Sequence, residues 1–411
     1  MLSDKTIAIV KSTAPILEEG GEALTRHFYK RMFSHNPEVQ HLFNPSNQFS
    51  GSQQRALAGA ICAYAANIDN LDALGGAVEL IAQKHASLRI MPEHYPIVGE
   101  NLLASIREVL GAAATDEIID AWAEAYDFLA DILIAREAQI YQEQQAAPGG
   151  WQDFKPFKVI KKVKESANIT SFYLVPADGT VPPAFKPGQY ITVRVPSPCG
   201  HTTMRNYSLS DKPGQSHLRI SVKRETPPVA NTPAGYVSNY LHDTIEQDMT
   251  LEIAPPCGEF CLDPASQNPE RPLVLLAGGI GVTPLLSMAL TAQEHTPQRK
   301  IVFIHACLHE NVQPFRSVLA ETAAKNPNVS VHYCYSEAAP EGVTRSTEAH
   351  EGFVDAALVQ KLLPDLQADY YFCGPKPFMV KIYHDLLGLG IPAHQVHFEF
   401  FGPRQELEKA A

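Results

Sequence analysis

Ala146-Ala147-Pro148-Gly149-Gly150-Trp151 divides the 411-residue chain into two unlike parts. Small residues, a proline and two adjacent glycines make it a linker by composition. Only five of the 32 prolines (Pro15, Pro37, Pro45, Pro92 and Pro96) precede it. Proline breaks helix interiors, so residues 1–147 are predicted to be mostly helical and the rest is not.

Apolar stripes at helical spacing support that reading on the N-terminal side. One stripe runs Leu57, Ile61, Tyr64; another runs Ala77, Ile81, His85, Leu88; a third runs Leu129, Leu133, Glu137, Ile140. On the other side the period changes. Ser171-Phe172-Tyr173-Leu174-Val175, Tyr190-Ile191-Thr192-Val193-Arg194-Val195 and Leu218-Arg219-Ile220-Ser221-Val222 alternate and are rich in β-formers. Residues 151–265 are therefore expected to form a small antiparallel β-barrel. From Arg271 the strands become continuously apolar, as in Leu273-Val274-Leu275-Leu276-Ala277 and Ile301-Val302-Phe303-Ile304, with helical stretches between them. That pattern predicts an α/β domain with a parallel sheet over 270–411.

Composition narrows the function. The chain is 45% hydrophobic and 19% charged, which fits packed domains rather than disorder. Asp and Glu outnumber Lys and Arg 45 to 33, a net charge of −12, so general nucleic-acid binding is disfavoured. A local basic pocket for a phosphorylated cofactor remains compatible with that charge. No apolar run reaches the roughly 20 residues that span a bilayer, and the N-terminus lacks a signal-peptide pattern. Seven scattered cysteines contain no Cys-x-x-Cys, and Cys257 with Cys261 makes a poor metal site. A reduced, cytoplasmic protein is expected, with no stable membrane insertion.

Two polar residues interrupt the apolar stripes. His85 is either a core histidine satisfied by a carbonyl or a haem-iron ligand. Glu137, on another stripe, is costly to bury without a partner. If Glu137 accepts the ring N–H of His85, it fixes the tautomer and strengthens the imidazole as an iron donor. Tyr95 can complete that network. Tyr29 and Gln53, on two other helical runs, are donors for a small bound ligand or boundary residues with wet tips.

The later domains carry chemistry of another kind. In Arg205-Asn206-Tyr207-Ser208 an arginine can pair with pyrophosphate, and Tyr207 lies on the same strand face to stack on a flat ring. Ser208 can bond a ring nitrogen. Pro187-Gly188-Gln189-Tyr190 precedes this string and Gly235-Tyr236-Val237-Ser238 follows it; there Gly235 permits close approach and Ser238 is expected to cap a short helix facing phosphate. Gly278-Gly279-Ile280-Gly281-Val282-Thr283-Pro284 follows a buried strand and opens a helix, a junction where backbone N–H groups can meet pyrophosphate.

The series Phe28-Tyr29, Phe43, Gln53, Lys84-His85, Tyr95-Pro96 and Glu137 resembles the globin domain of flavohaemoglobins. The barrel strings and the Gly-x-Gly-x-Thr-Pro loop resemble the ferredoxin–NADP reductase superfamily, whose module flavohaemoglobins share. Two further signatures match in order: Tyr371-Phe372-Cys373-Gly374-Pro375 and His397-Phe398-Glu399-Phe400-Phe401-Gly402-Pro403. Asn206 departs mildly from the family's usual Gln. The resemblance covers nearly the whole chain, to about Pro403. It implies a globin domain over 1–147, an FAD domain over 151–265 and an NAD(P) domain over 270–411. It implies one haem b on iron held by His85, one FAD, and NADH or NADPH as donor.

By the same resemblance, Tyr29 and Gln53 face the bound ligand, Phe43 packs on the haem, and Tyr95 and Glu137 back the proximal histidine. Lys84 holds a haem propionate or the domain interface. Tyr190, Arg205, Asn206, Tyr207, Ser208, Gly235, Val237 and Ser238 hold FAD. Gly279, Ile280, Gly281, Val282, Thr283, Pro284, Cys373, Gly374 and Pro375 hold the nicotinamide nucleotide, with Cys373 a packing residue rather than a nucleophile. Phe401, with Phe400, Gly402 and Pro403, covers the flavin, and Glu399 sits between flavin and haem.

The implied activity is nitric oxide dioxygenation: NAD(P)H reduces FAD, FAD reduces the haem iron, and haem-bound O2 oxidises NO to nitrate. Three alternatives stay open: an O2 or redox sensor; a reductase of ferric iron, quinones or alkyl hydroperoxides; and a lipid-binding haem pocket. No Asp or Arg pair decides between NADH and NADPH. One chain suffices for this chemistry, and a dimer is not excluded.

Overall fold

The computed structural model describes residues 2–198, 200–227, 234–263, 270–338 and 349–402. The N-terminal part is all helix: α1 (Asp4–His35), α2 (Pro45–Phe49), α3 (Ser52–Ala66), α4 (Gly75–Ser87), α5 (His94–Leu110) and α6 (Asp116–Ala146), joined partly by short 3-10 turns. Local chemistry sets the starts. The Ser3 hydroxyl accepts the Thr6 N–H at 3.1 Å, and Thr115 caps α6 with Asp116 and Glu117 in its first turn. The stripe predicted through Leu88 ends one residue earlier: Leu88 is the C-cap of α4, its N–H turned back to the Lys84 and His85 carbonyls. The apolar faces meet in a core of Val10, Phe28, Met32, Tyr64, Leu102 and Trp122.

The second part is an antiparallel barrel built from β1 (Lys155–Lys164), β2 (Ile169–Pro176), β3 (Tyr190–Pro196), β4 (Thr202–Ser208), β5 (Leu218–Lys223) and β6 (Thr250–Ile253), with α7 (Tyr236–Asp243). The strand order is β4-β3-β6-β1-β2-β5, and a bridge from Leu209 to Ile220 brings the two ends together. Closing the sheet removes exposed edges. The inward faces bury Phe157, Phe172, Ile191, Val193, Leu218 and Ile220.

The third part alternates β7 (Leu273–Gly278), α8 (Val282–His295), β8 (Ile301–Cys307), α9 (Arg316–Lys325), β9 (Val329–Tyr335), β10 (His350–Glu351), α10 (Ala356–Leu362), β11 (Asp369–Cys373), α11 (Lys376–Gly388) and β12 (Val396–Glu399). Its sheet, β10-β9-β8-β7-β11-β12, is parallel throughout. The chain leaves β7 in one direction and later returns on its other side, so β7 and β11 flank a switch point, where open α/β sheets bind ligands.

The domains are docked, not strung. Tyr95, Leu133 and Ile140 of the helical part share one apolar cluster with Tyr190 and Cys257 of the barrel. Phe260 and Leu262 of the barrel join the core around β7 and α8. The linker is packed as well. A Cβ on Gly150 would lie 2.0 Å from the Gln144 carbonyl oxygen, and Gly149 has φ +70 against the Pro182 carbonyl. The buried Trp151 indole donates to the Ile253 carbonyl at 3.2 Å.

Candidate functional site

One cavity of about 1660 Å³ runs from the helical domain into the barrel and reaches the C-terminal strand. A single drug-sized ligand occupies roughly 300–1,000 Å³, so this space suits more than one cofactor. Its wall carries Tyr29, Phe43, Gln53, Lys84, His85 and Tyr95 from the helices. Tyr190, Arg205, Asn206 and Ser208 come from the barrel, and Glu399, Phe400, Phe401 and Gly402 from the C-terminal segment.

The predicted His85 network is assembled. α4 and α6 pack side by side, which brings two residues 52 positions apart into contact. His85 Nδ1 lies 2.8 Å from Glu137 Oε1, and the Tyr95 hydroxyl donates to the same oxygen at 2.6 Å. A carboxylate oxygen only accepts, so Nδ1 carries the proton and Nε2 keeps its lone pair. Glu137 is buried, while His85 is part-exposed on the cavity wall. This donor set fits a haem iron. The buried carboxyl that looked costly on the apolar stripe is satisfied twice.

Tyr29 and Gln53 line the same cavity. Tyr29 is held by Phe28 (4.9 Å between ring centroids) and Phe43 (5.6 Å). Burial pushes its phenol well above the usual range, and a hydrogen bond from Gln53 opposes that shift. The hydroxyl therefore stays protonated and able to donate. Phe43 is further fixed edge-on by Phe33 at 5.2 Å.

Between the halves, Lys84 Nζ sits 4.8 Å from the centre of the Tyr190 ring. Glu399, at the end of β12, is buried, and its Oε2 has no hydrogen-bond partner. Burial pushes the Glu399 carboxyl up to about 7, with Lys84 pulling it down and Glu259 pushing it further up. Lys84, Tyr190 and Glu399 thus bring together all three domains.

The barrel residues divide. Tyr190 pairs with Ser208, and Val193 with Arg205, in the β3–β4 register. Arg205 Nη2 donates to Asn44 Oδ1 at 2.7 Å, and Asn206 Nδ2 to Ser87 Oγ at 3.3 Å, so both reach the helical domain. Tyr207, Gly235, Val237 and Ser238 do not line the cavity; Tyr207 packs on the barrel core. Ser238 does not cap α7, contrary to the sequence expectation. Gly235 holds that position, and the Ser238 hydroxyl sits one turn in, donating to the Gly235 carbonyl at 2.9 Å and accepting the Glu225 N–H at 3.2 Å. The chain turns into helix three residues earlier than the serine suggested.

In the third domain the glycine loop and the Cys373 loop touch. A Cβ on Gly281 would lie 2.2 Å from the Cys373 carbonyl oxygen, and one on Gly374 2.9 Å from Gly278 Cα. A Cβ on Gly278 would lie 2.9 Å from Pro375 Cδ. Gly279 has φ +53 and open space around it. Ile280 belongs to the 3-10 turn Gly279–Gly281; Val282, Thr283 and Pro284 form the buried first turn of α8. Cys373 is buried in the core around β7 and α8, and burial pushes its thiol well up. Pro403 lies outside the described residues, as do residues 228–233 of the Glu225–Ala234 loop.

Several contacts have no counterpart in the sequence reading. The Gly258 N–H donates to Gln83 Oε1 at 3.0 Å, and Gln144 Nε2 to Cys257 Sγ at 2.9 Å. Gln144 continues the stripe of Leu133, Glu137 and Ile140 by one turn, and that signal could have singled it out. His305 interrupts the apolar run of β8 in the same way.

Fold and cavity together define a nicotinamide-dependent flavin oxidoreductase fused to a globin. Residues 26–133 match the globin family, 156–261 the oxidoreductase FAD-binding domain and 275–384 the oxidoreductase NAD-binding domain. The flavohemoprotein of Rhodopirellula baltica is 52% identical over 407 residues, covering 99% of each chain. That of Halalkalibacterium halodurans is 49% identical over 98% of this chain and 97% of its own. Among solved structures, a Malassezia yamatoensis flavohemoglobin with bound FAD and heme superposes with a TM-score of 0.84 at 29% identity, covering 98% of this chain and all of its own. The FAD/NAD-binding domain of a Vibrio cholerae nitric oxide dioxygenase matches 61% of this chain with a TM-score of 0.55 and 31% identity. The chain belongs to the flavohaemoprotein family. Its cofactors are haem, FAD and a nicotinamide nucleotide. Among the described residues no helix is long and apolar enough to cross a membrane.

Proposed function

We propose that this chain is a nitric oxide dioxygenase, acting in the cytoplasm, that consumes NO and O2 with NADH or NADPH and releases nitrate. One observation carries the reading: the wall with His85, Tyr29 and Gln53 belongs to the same cavity as the flavin-side residues Tyr190, Arg205 and Ser208. A carrier of O2 needs no reductase, whereas a site oxidised in each cycle does. Tyr190, Arg205 and Ser208 would hold FAD beside the wall that carries His85, and FAD there would supply the exchange between two-electron and one-electron chemistry that a nicotinamide donor and a haem iron require.

The chain's own residues do the rest. Glu137 and Tyr95 orient His85 and make its Nε2 a stronger donor. The Tyr29 hydroxyl, protonated and backed by Phe28 and Phe43, holds a proton toward a diatomic substrate, and Gln53 steadies it. Lys84 and Glu399 occupy the seam between the domains. Tyr207, Gly235, Val237 and Ser238 are assigned to the FAD site by family resemblance alone.

The test is aerobic NO consumption by purified protein loaded with haem and FAD, with nitrate measured in the same reaction. Fast loss of NO that needs O2 and reduced nucleotide and yields stoichiometric nitrate is expected. Normal haem and flavin spectra without NO consumption would instead point to the sensor or to another reductase activity.

A further inference from the structure

β8 ends beside β7 in parallel register, with Ala277 opposite His305 and Gly278 opposite Ala306. The register places a histidine directly beneath the glycine loop. His305 is completely buried in a strand whose preceding residues, Ile301-Val302-Phe303-Ile304, are all apolar. Its Nε2 lies 3.0 Å from the Gly279 carbonyl oxygen, and Cys307 Sγ flanks the same nitrogen at 3.3 Å. Its Nδ1 is buried with no hydrogen-bond partner. A carbonyl only accepts, so the ring proton is on Nε2. Burial pushes the imidazole down to about 4, so it is neutral at physiological pH and carries that one donor.

We propose that His305 is a positioning residue of the nicotinamide-nucleotide site: its Nε2–H holds the Gly279 carbonyl inward and thereby aims the Ile280 N–H at the pyrophosphate. The trans peptide is planar, so the Gly279 C=O and the Ile280 N–H point in opposite directions. Fixing one fixes the other. The outward side is open, because nothing lies within 4 Å of where a Gly279 Cβ would stand. Its neighbours are crowded instead: Gly278 and Gly281 are wedged against Pro375 and the Cys373 carbonyl. The aimed N–H lies at the start of the 14-residue α8, where backbone donors and the helix dipole favour an anion. Gly279 is needed for its φ of +53, and its carbonyl also accepts the Val282 N–H within the 3-10 turn; His305 adds a second tether, from the strand below.

The proposal concerns the nucleotide site and is independent of what becomes of NO. Its test uses the full chain carrying haem and FAD. Anaerobic stopped-flow bleaching of the flavin by NADH gives a dissociation constant and a limiting rate. His305→Phe keeps an aromatic ring and removes the donor. Losing a buried hydrogen bond to the loop is expected to raise the NADH dissociation constant roughly tenfold. The limiting rate is expected to change less than about twofold, since the nicotinamide end is untouched. His305→Gln, with an amide N–H of similar reach, is expected to restore binding to within about threefold of wild type. Equal loss in both variants would show that the ring only packs, and unchanged binding in His305→Phe would overturn the tether outright. Should His305→Phe fail to fold, His305→Asn takes its place: its shorter amide cannot reach the Gly279 carbonyl. Weakened binding there, rescued by Gln, supports the proposal, and wild-type binding refutes it.

Discussion

The proposed haem wall and the proposed nucleotide loop solve the same problem with opposite materials. At the haem wall, side chains do the work: His85, Glu137 and Tyr95 project from three helices and meet in one hydrogen-bonded knot. At the nucleotide loop the backbone does it, and the side chains that matter are mostly missing ones, at Gly278, Gly279, Gly281 and Gly374. A side-chain site fails when a functional group is removed. A backbone site fails when a single carbon is added.

The sharpest way to break this contrast is at His85. His85→Ala is expected to lower NO consumption by more than about 100-fold, because even the loss of an outer partner of a metal-bound histidine costs roughly 10–100-fold. NADH-driven reduction of ferricyanide, which needs only flavin and nucleotide, is expected to persist. If both activities fell together, the two sites would not be separable, and the contrast would fail.

Gly281→Ala makes the converse cut. The added carbon would sit 2.2 Å from the Cys373 carbonyl oxygen, and its nearest neighbours are all backbone atoms of the Cys373–Gly374 peptide, with no flexible side chain to yield. Overpacking of this kind costs roughly 1–3 kcal/mol, so NADH bleaching of the flavin is expected to slow or weaken at least about tenfold. The haem absorption spectrum is expected to stay normal. Wild-type bleaching in this variant would mean that the two loops separate easily.

The smallest expected effect is at the seam. The Glu399 carboxyl, buried and raised to about 7, is protonated in the fold at pH values where the unfolded chain has already lost that proton. Its contribution is thus fully present below about pH 4.5 and is lost as pH rises through 7. Glu399→Gln removes this dependence. The stability of wild type relative to the variant is expected to decline between pH 4.5 and 8, by no more than about 3 kcal/mol. Parallel melting curves for the two proteins across that range would sink the assignment.

The same contrast explains what could be read from the sequence. His85 and Glu137 were legible because each breaks an apolar stripe and each needs a partner to be tolerated there. The glycine loop was legible because it sits where a buried strand turns into a helix. Ser238 was misread because a serine near a helix start looks like a cap whichever residue actually begins the helix. The docking contacts were illegible for a different reason. Asn44 and Arg205 are 161 positions apart, and Gln144 and Cys257 are 113 apart; nothing local in either stretch announces the other. Polar residues at a domain seam look like ordinary surface until the domains are placed together.

The junction that divides the chain has one more implication. Gly149 and Gly150 are glycines because carbonyls crowd them, and Trp151 is anchored to β6. The joint is a machined fitting rather than a length of cord. Grafting another globin onto this reductase, or inserting a spacer between the halves, would discard the part that sets how the modules face each other. A working chimera would have to carry the segment from Gln144 to Trp151 across unchanged.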